Sequence, residues 1–389
     1  MTLDETPPAA TSKITLFVCG DVMTGRGIDQ ILAQPSDPAI HERSMLSAVG
    51  YVDIAEQKSG RIPRAVEPAY IWGDALDELQ RVQPEARIIN LETAVTRSDD
   101  WIGKGINYRM NPANVACLSA ARIDCCALAN NHVLDWGAAG LRETLDTLHA
   151  AGLKTAGAGK TRSEAEAPAE LAVGGGRRIL VFSLGAESSG VPPQWAATDR
   201  RPGVNFLADL SEQTVARISG RVRAIKQPGD IAVASLHWGS NWGYEIALDE
   251  AHFAHQLIER AGIDLVHGHS SHHAKAIEVF QGKLILYGCG DFINDYEGIA
   301  GYEAFRGDIG LMYFPTLEAA TGRLLGLELV ATQIMRFRVQ RAVDADARWL
   351  CSMLDREGGR FGTSTELMPA SRIALRWTAQ LADVRVPHI

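Results

Sequence analysis

Residues that can bind a metal or carry a proton follow several short apolar runs of this sequence. Asp21 follows the run at 14–19 (ITLFVC), and Glu92 follows the run at 86–90 (ARIIN). The segment 267–273 reads His-Gly-His-Ser-Ser-His-His and holds four of the eleven histidines. Clustered imidazoles beside carboxylates are typical of a divalent metal site. This donor mix suits Mn²⁺, Fe²⁺ or Zn²⁺ or, with fewer imidazoles in direct contact, Ca²⁺ or Mg²⁺.

A second motif could move protons. His132 and Asp135 stand three residues apart in Asn-Asn-His-x-x-Asp, a spacing that places them on one side of a helix. The pair could be an acid/base and its orienting carboxylate, although Asp135 could instead cap the following helix. Further candidates for proton transfer follow other apolar runs, namely His237, His273, Asp291 and Asp295.

Substrate contacts are predicted from the neighbouring polar and aromatic segments. Arginine forks match carboxylates, and aromatic side chains line peptide and sugar sites. The alternative is that these charges are solvated loop residues and that the aromatics belong to the core. The candidates are Arg61 in an early loop, Lys104, Tyr108 and Arg109 in the segment 103–110 (GKGINYRM), and Trp238 and Trp242 after His237.

The elements that carry these residues alternate between strand and helix. Short, nearly continuous apolar runs indicate buried strands. Helical periodicity lies between them at 138–151, 210–225 and 250–261, and two alternating segments within 308–339 indicate late antiparallel strands. The alternation predicts βαβ units and the α/β class. Because ligands collect at the carboxyl ends of parallel strands, the polar residues above are expected to converge.

Composition narrows the class of protein. The formal net charge of −9 argues against binding of nucleic acid through bulk charge. The polar N-terminus lacks the pattern of a signal peptide, and no apolar run approaches the roughly 18 residues of a membrane span, so a cytoplasmic protein is expected. We predict a disordered tail at 1–13, one enzyme domain at 14–340 and a peripheral, mainly helical extension at 341–389. The sequence leaves the oligomeric state open.

Six segments, in this order, resemble the CapA family, named for poly-γ-glutamate capsule synthesis proteins and similar in fold to the calcineurin-like metallophosphoesterases. The resemblance implies a four-layer α/β/β/α sandwich with the site at the sheet edges and His132 as acid/base. It also implies metal-facing positions at Asp21, Glu92, Asn131, His237, His269 and His272. The matching segments are CGDVMTGRGID (19–29), INLETAVT (89–96), ALANNHVLDWG (127–137), SLHWGSNWGYE (235–245), VHGHSSHH (266–273) and LYGCGDFINDYEG (286–298).

Two departures from the family pattern concern the metal. Typical phosphoesterases begin with Asp-x-His, whereas this chain has Asp21-Val22-Met23. The capsule-type GHHPH reads here as Gly-His-Ser-Ser-His, so that Ser270 replaces one imidazole. These departures favour a single metal or coordination through water over a standard dinuclear centre.

The resemblance leaves several reactions open. CapA-like proteins include capsule synthesis or attachment factors, poly-γ-glutamate hydrolases and lasso-peptide epimerases. We expect a metal-dependent enzyme that uses His/Asp acid–base chemistry on a peptide or amide-polymer substrate, and we favour Cα epimerisation of a lasso-peptide precursor type. The alternatives are a hydrolase or synthesis factor for a poly-γ-glutamate-like capsule polymer, a phosphoesterase, and a non-catalytic scaffold.

Overall fold

The computed structural model describes residues 12–378. In its N-terminal half, the predicted apolar runs form strands, and helices connect most of them. The strands are β1 (Lys13–Val22), β2 (Ala86–Leu91), β3 (Ala94–Val95), β4 (Arg109–Met110), β5 (Cys125–Ala127), β6 (Lys154–Ala156), β7 (Ala158–Gly159) and β8 (Ala169–Val173). The helices are α1 (Gly27–Ile31), α2 (Val49–Ser59), α3 (Ala75–Val82), α4 (Ala116–Ala120), α5 (Gly137–Ala150) and α6 (Arg162–Glu166).

The C-terminal half adds the remaining elements. The strands are β9 (Arg177–Ala186), β10 (Gly203–Val204), β11 (Phe206–Leu207), β12 (Ile231–His237), β13 (Leu265–His269), β14 (Ile277–Phe280), β15 (Lys283–Leu286), β16 (Asp291–Ile293), β17 (Ile309–Glu318), β18 (Leu324–Ile334), β19 (Val339–Arg341), β20 (Thr363–Met368) and β21 (Arg372–Trp377). The helices are α7 (Glu212–Ile225), α8 (Leu248–Glu259) and α9 (Asp344–Gly358).

Two sheets organise these strands. The first has ten strands in the order β20-β21-β18-β17-β1-β2-β5-β6, with β16 beside β1 and β19 beside β18. Its strands β1, β2, β5, β6 and β16 are parallel, while β17 pairs antiparallel with β1 on one side and with β18 on the other. The second sheet has seven strands, and its centre β9-β12-β13-β15 is parallel. The parallel strands of each sheet therefore end at a common edge.

Alternating side chains build three cores and hence four layers. In β1, Phe17 and Cys19 face the core beneath the N-terminal helices, whereas Leu16 and Val18 face the core between the sheets. In β12, Val233 faces that same central core, and alternate residues face the core under α7 and α8. Both faces of each sheet are covered, which is why these strands read as continuous apolar runs. The predicted four-layer α/β/β/α sandwich is confirmed.

The C-terminal region differs from its prediction. Helix α9 is present and contributes Leu350 and Leu354 to the core between the sheets. The strands β20 and β21 then extend the ten-stranded sheet, so the expectation of a mainly helical extension at 341–389 is wrong for the residues up to 378. Alternating apolar residues at 373, 375 and 377 carry the strand signal of β21. The predicted tail at 1–13 lies mostly outside the described residues, and β1 already begins at Lys13.

The other predicted elements appear close to their expected positions. The three helical patterns correspond to α5, α7 and α8, and the late antiparallel pair corresponds to β17 and β18. Across residues 12–378, every helix is too short or too polar to cross a lipid bilayer. A glycine governs one close approach that matters for the site. A Cβ atom at Gly20 would lie 1.6 Å from the carbonyl oxygen of Gly290, so only glycine allows β16 to pair with the end of β1.

Candidate metal and acid–base site

Sheet register brings the predicted polar residues of the first sheet together. Asp21 at the end of β1 lies in register with Asn90 of β2 on one side and with Asp291 of β16 on the other. Asn90 donates a hydrogen bond through Nδ2 to Asp21 Oδ1 at 2.7 Å, and another to Glu92 Oε2 at 3.0 Å. The side-chain amide of Asn90 thus bridges the buried carboxylates of Asp21 and Glu92 at this sheet edge.

The second sheet presents its histidines to the same place. His237 and His269 are register partners at the ends of β12 and β13, and their Nδ1 atoms lie 2.8 Å apart. His269 Nδ1 lies 3.8 Å from Asp21 Oδ1. Nε2 of His267 reaches the carbonyl oxygen of Cys19 across the sheets at 2.7 Å. The candidate site therefore spans the adjoining edges of both sheets.

Two groups of donor atoms share Asp21. One comprises Asp21, His237 and His269, and the other comprises Asp21, His272 and Asp291. In each group, one ligand atom per residue lies within 4.8 Å of the others. A carboxylate common to two groups could serve one ion or bridge two, so the predicted preference for a single metal stays a prediction.

The electrostatics of the carboxylates fit a bound cation. Burial, followed by the charge of Asp291, raises the pKa of Asp21 from 3.8 to about 7. Burial, followed by the charges of Asp21 and Asp291, raises the pKa of Glu92 well above its ordinary value. Neighbouring buried carboxyls can all ionise only when a positive charge compensates them. The donor set of carboxylates and imidazoles, with an amide oxygen from Asn131 nearby, fits a divalent ion.

The imidazoles of the cluster are available as neutral ligands. Burial, followed by charged neighbours, lowers the pKa values of His237 and His269 well below the ordinary value. Nε2 of His269 lies 2.8 Å from Ser235 Oγ, and Nε2 of His237 lies 3.2 Å from Asn131 Oδ1. Because metal binding requires the deprotonated imidazole, these low pKa values remove the competition from protons.

His132 has the surroundings of an acid/base. Its Nδ1 lies 2.6 Å from Asp135 Oδ2, and its Nε2 lies 3.9 Å from Glu92 Oε1. Lys104 Nζ lies 2.8 Å from Asp135 Oδ1 and 3.2 Å from His132 Nδ1. Burial lowers the pKa of His132 to about 4, so the ring is neutral near pH 7. With Nδ1 directed at a carboxylate, Nε2 is the atom free to accept a proton on the cluster side.

His272 has the opposite character. Its Nδ1 lies 2.9 Å from Asp291 Oδ1, and its Nε2 lies 3.0 Å from Asn241 Nδ2. Burial alone would lower the pKa of His272, but the charge and the hydrogen bond of Asp291 outweigh it and raise that pKa. In the absence of a metal, the site therefore combines three neutral imidazoles, those of His132, His237 and His269, with one more basic imidazole, that of His272.

Two residues predicted as acid/base groups, Asp295 and His273, make their contacts outside the candidate metal cluster. Asp295 forms a buried ion pair with Arg26, whose Nε donates to Asp295 Oδ2 at 2.9 Å. His273 uses both ring nitrogens on backbone groups, those of Ala274 and Gly243. Asp295 and His273, two of the predicted acid/base residues, therefore support the structure around the site and do not face the cluster with a free atom.

Three predicted substrate contacts also lie elsewhere. Arg109 donates to Asp99 and stacks on Trp136, so its guanidinium is engaged. Trp238 is buried in the core under α8, where its Nε1 donates to the carbonyl oxygen of Tyr287. Arg61 is exposed in the loop after α2 and has no hydrogen bond to the cluster among the described residues. The core-aromatic alternative describes Trp238, and the solvated-loop alternative describes Arg61. Neither alternative fits Arg109, which is buried in β4.

The predicted substrate residues that do approach the site are Lys104, Tyr108 and Trp242. The Tyr108 ring meets His132 edge-on at 4.5 Å between centroids, and the Trp242 ring lies 5.3 Å from that of His272. The remaining predicted residues meet at the sheet edges, namely Asp21, Glu92, Asn131, His132, Asp135, His237, His269, His272 and Asp291.

Other residues of the site were not assigned a role from the sequence. Asn130 donates to Asn90 Oδ1 and Leu91 O, and its own Oδ1 accepts from the backbone of His132, which fixes the Asn-Asn-His turn. Tyr296 places its hydroxyl 3.0 Å from that of Tyr108, and its ring stands edge-on to His272. Both residues lie within segments that carry the family resemblance, Asn130 in 127–137 and Tyr296 in 286–298, and this position was the available signal.

Fold and site together define an α/β/β/α protein of the metallophosphoesterase-like type with a carboxylate–imidazole cluster at its sheet edges. The model of the bacterial capsule synthesis protein family, PGA_cap, matches residues 15–296, and the chain belongs to this family. The resemblance drawn from the six motifs is thereby confirmed.

Relatives cover most of the chain. A probable polyglutamine synthesis accessory protein of Mycobacterium tuberculosis is 47% identical over 372 residues, which are 95% of this chain and 98% of the relative. The PGA biosynthesis protein CapA of Bacillus subtilis is 29% identical over 325 residues, covering 82% and 73% of the two chains. A crystal structure of a hypothetical protein from Thermus thermophilus aligns with a TM-score of 0.43 at 14% identity, over 82% of this chain and 99% of that one.

Proposed function

We propose that this protein is a metal-dependent enzyme that acts on the amide bonds of a glutamine- or glutamate-type polymer during its synthesis. The observation that carries this proposal is the convergence of two carboxylate–imidazole groups, which share Asp21, with the His132–Asp135 pair. The names of the relatives supply the polymer class, and they favour this reading over the lasso-peptide epimerase expected from the sequence.

The acid–base step uses His132. Asp135 orients the ring through Nδ1, and Nε2 takes a proton from the attacking nucleophile, which is water in hydrolysis and an amine in chain transfer. The nucleophile bonds to the amide carbonyl carbon, the carbon–nitrogen bond breaks, and His132 returns the proton to the leaving nitrogen. A divalent ion held by Asp21, His237 and His269 would supply Lewis-acid polarisation of the carbonyl.

The test is turnover of defined oligomers. The protein is incubated with glutamine and glutamate oligomers and with Mn²⁺, Zn²⁺, Mg²⁺ or Ca²⁺, and chain lengths are followed by mass spectrometry. We expect shortened or lengthened chains, and a loss on the order of 10²-fold or more in His132→Gln. His149→Gln is the matched control, because this exposed histidine at the end of α5 directs its ring to Thr155 Oγ1 and not to the cluster. Equal rates in His132→Gln and the parent would refute the role of His132.

A second candidate reaction, Cα epimerisation, is favoured by one observation. His132 and His272 border the cluster and each has Nδ1 beside a carboxylate, Asp135 or Asp291, and two-base epimerisation needs two such acid/base groups. In this reaction His272 would act as the acid, and a metal ion would be held by Asp21, His237 and His269 alone. The same incubations in D₂O separate the reactions. Deuterium at Cα without any change in chain length indicates epimerisation, and a change in chain length without Cα deuterium indicates amide chemistry.

A further inference from the structure

The loops around the cluster carry negative charge. The segments 187–190, 238–247 and 296–305 contain the exposed glutamates Glu187, Glu245 and Glu303 and neither lysine nor arginine. A fourth glutamate, Glu297, accepts from the backbone of Phe337 and is turned away from solvent. Arg306, the next residue along, is paired with Asp308 and Asp346. All three adjoin the site. A Cβ atom at Gly190 would lie 3.3 Å from Asn131 Nδ2, Asn241 contacts His272, and Tyr296 packs against the same histidine. An anionic chain that approaches from this side meets a like-charged rim.

Three cations near the cluster, Lys104, Arg26 and Arg109, are already engaged by groups of the protein. Lys104 Nζ is held by Asp135 and by the carbonyl oxygen of Asn131. Arg26 is buried between Asp295 and Glu42. The guanidinium of Arg109 is taken by Asp99 and by the carbonyl oxygen of Ser98. A substrate carboxylate would have to displace a protein partner to pair with any of these three.

The same side of the site offers an aromatic surface. The rings of Trp242 and Tyr302 stack at 4.0 Å with an angle of 2°, and the Trp242 ring lies 5.3 Å from that of His272. The ring of His273 lies on Trp242 at 6.0 Å and 19°. Tyr302 is 52% exposed. We call Trp242 and Tyr302 the aromatic strip, which leads from the cluster to solvent.

We propose that the site takes an uncharged amide chain across the aromatic strip and rejects the polyanionic form of the same chain. Amide groups and the methylenes of a glutamine-type side chain pack on aromatic rings, whereas a row of carboxylates meets the glutamates of the rim. The carboxylates of Asp21 and Asp291 would face an ion held in these donor groups and offset its charge, which reduces its attraction for a polyanion. This selectivity rests on the proposed function for its substrate class.

The test measures binding rather than turnover. Isothermal titration calorimetry compares glutamine and glutamate oligomers of equal length on the full-length His132→Gln protein loaded with Mn²⁺, across ionic strengths from about 0.01 to about 1 M, over which the Debye length falls from about 30 to about 3 Å. We expect the uncharged oligomer to bind at least about tenfold more tightly at low salt. Salt should leave its affinity unchanged and should raise that of the glutamate oligomer, because salt screens repulsion.

Two pairs of variants locate the effect. Trp242→Ala should weaken binding of the uncharged oligomer on the order of five- to tenfold, while Trp377→Ala at the end of β21 should not. Glu303→Gln should strengthen binding of the glutamate oligomer at low salt roughly twofold to threefold. Glu259→Gln, at the end of α8 and hence at the opposite sheet edge, should not.

Two results would overturn the inference: tighter binding of the glutamate oligomer with an affinity that falls as salt rises, or equal binding of the uncharged oligomer by Trp242→Ala and the parent. The proposed function fails separately. Absence of turnover together with the expected binding pattern would refute the reaction and support the selectivity. Turnover together with tighter binding of the polyanion would support the proposed reaction and refute the selectivity.

Discussion

Replacing Asp21 with asparagine should stabilise the metal-free protein and abolish its stabilisation by metal. Asp21 is fully buried, and burial followed by the charge of Asp291 raises its pKa from 3.8 to about 7. Ionised Asp21 without a cation is therefore a cost to the fold near neutral pH. Asparagine cannot ionise, so the variant avoids that cost but also lacks the carboxylate that both donor groups share.

The magnitude follows from linkage between protonation and folding. Because the pKa is higher in the folded state, the fold holds the proton more tightly than the unfolded chain between pH 3.8 and about 7. The stability of the metal-free protein therefore falls as pH rises through this window. The difference in pKa corresponds to roughly 4 kcal/mol, with the full loss above about pH 7. Relative to the parent, the free energy of unfolding of metal-free Asp21→Asn should rise with pH, from no difference near about pH 4 to a gain of up to that amount near about pH 8.

The assay is urea unfolding with a chelator present, at a series of pH values, for parent and variant. Asp230→Asn is a control of opposite sign. Burial would raise the pKa of Asp230, but hydrogen bonds from Arg178 outweigh it and lower that pKa. Asp230→Asn should thus be less stable than the parent at neutral pH, and the difference should shrink in acid. With a divalent ion at about 100 times its Kd, the parent should gain about 2.7 kcal/mol and Asp21→Asn much less.

A difference between Asp21→Asn and the parent that stays constant with pH would refute the electrostatic account. It would mean that Asp21 is not held in an unfavourable charged state. If metal raised the free energy of unfolding of Asp21→Asn as much as that of the parent, the ion would bind without Asp21. The arrangement in which two donor groups share this carboxylate would then be wrong.

Three further outcomes are expected. His132→Gln should lower kcat by about 10²- to 10⁴-fold with an unchanged thermal unfolding midpoint, measured by turnover and circular dichroism; a shifted midpoint would indicate a structural role. Ser270 has φ 97°, a conformation that favours glycine, so Ser270→Gly should raise the free energy of unfolding by about 1 kcal/mol in urea titrations, and destabilisation would contradict this. Gly20→Ala should cost at least about 3 kcal/mol or prevent folding, because its Cβ meets Gly290 O at 1.6 Å; a near-parental midpoint would show that β16 can shift.

Much of the fold was accessible from the sequence. Strands buried on both faces produce continuous apolar runs, and helices with one buried face produce a period of about 3.6 residues. The candidate metal residues were accessible for a related reason. Asp21, Glu92 and His269 each follow or end such a run, and parallel strands finish at one edge. The strands at 363–377 were missed because residues 363–366 are polar and the apolar alternation covers only the five positions 373–377.

The tertiary structure decided what each polar side chain does. Asp21 and Asp295 are both buried aspartates in family motifs, yet one faces the imidazoles and the other faces Arg26. Asn131 contacts His237, which lies 106 residues further along the sequence. The guanidinium of Arg109 is paired with the carboxylate of Asp99. A local pattern reports whether a position is buried and on which face it lies. Which charge it meets there depends on sheet register and loop closure, and these are fixed only when distant segments pack.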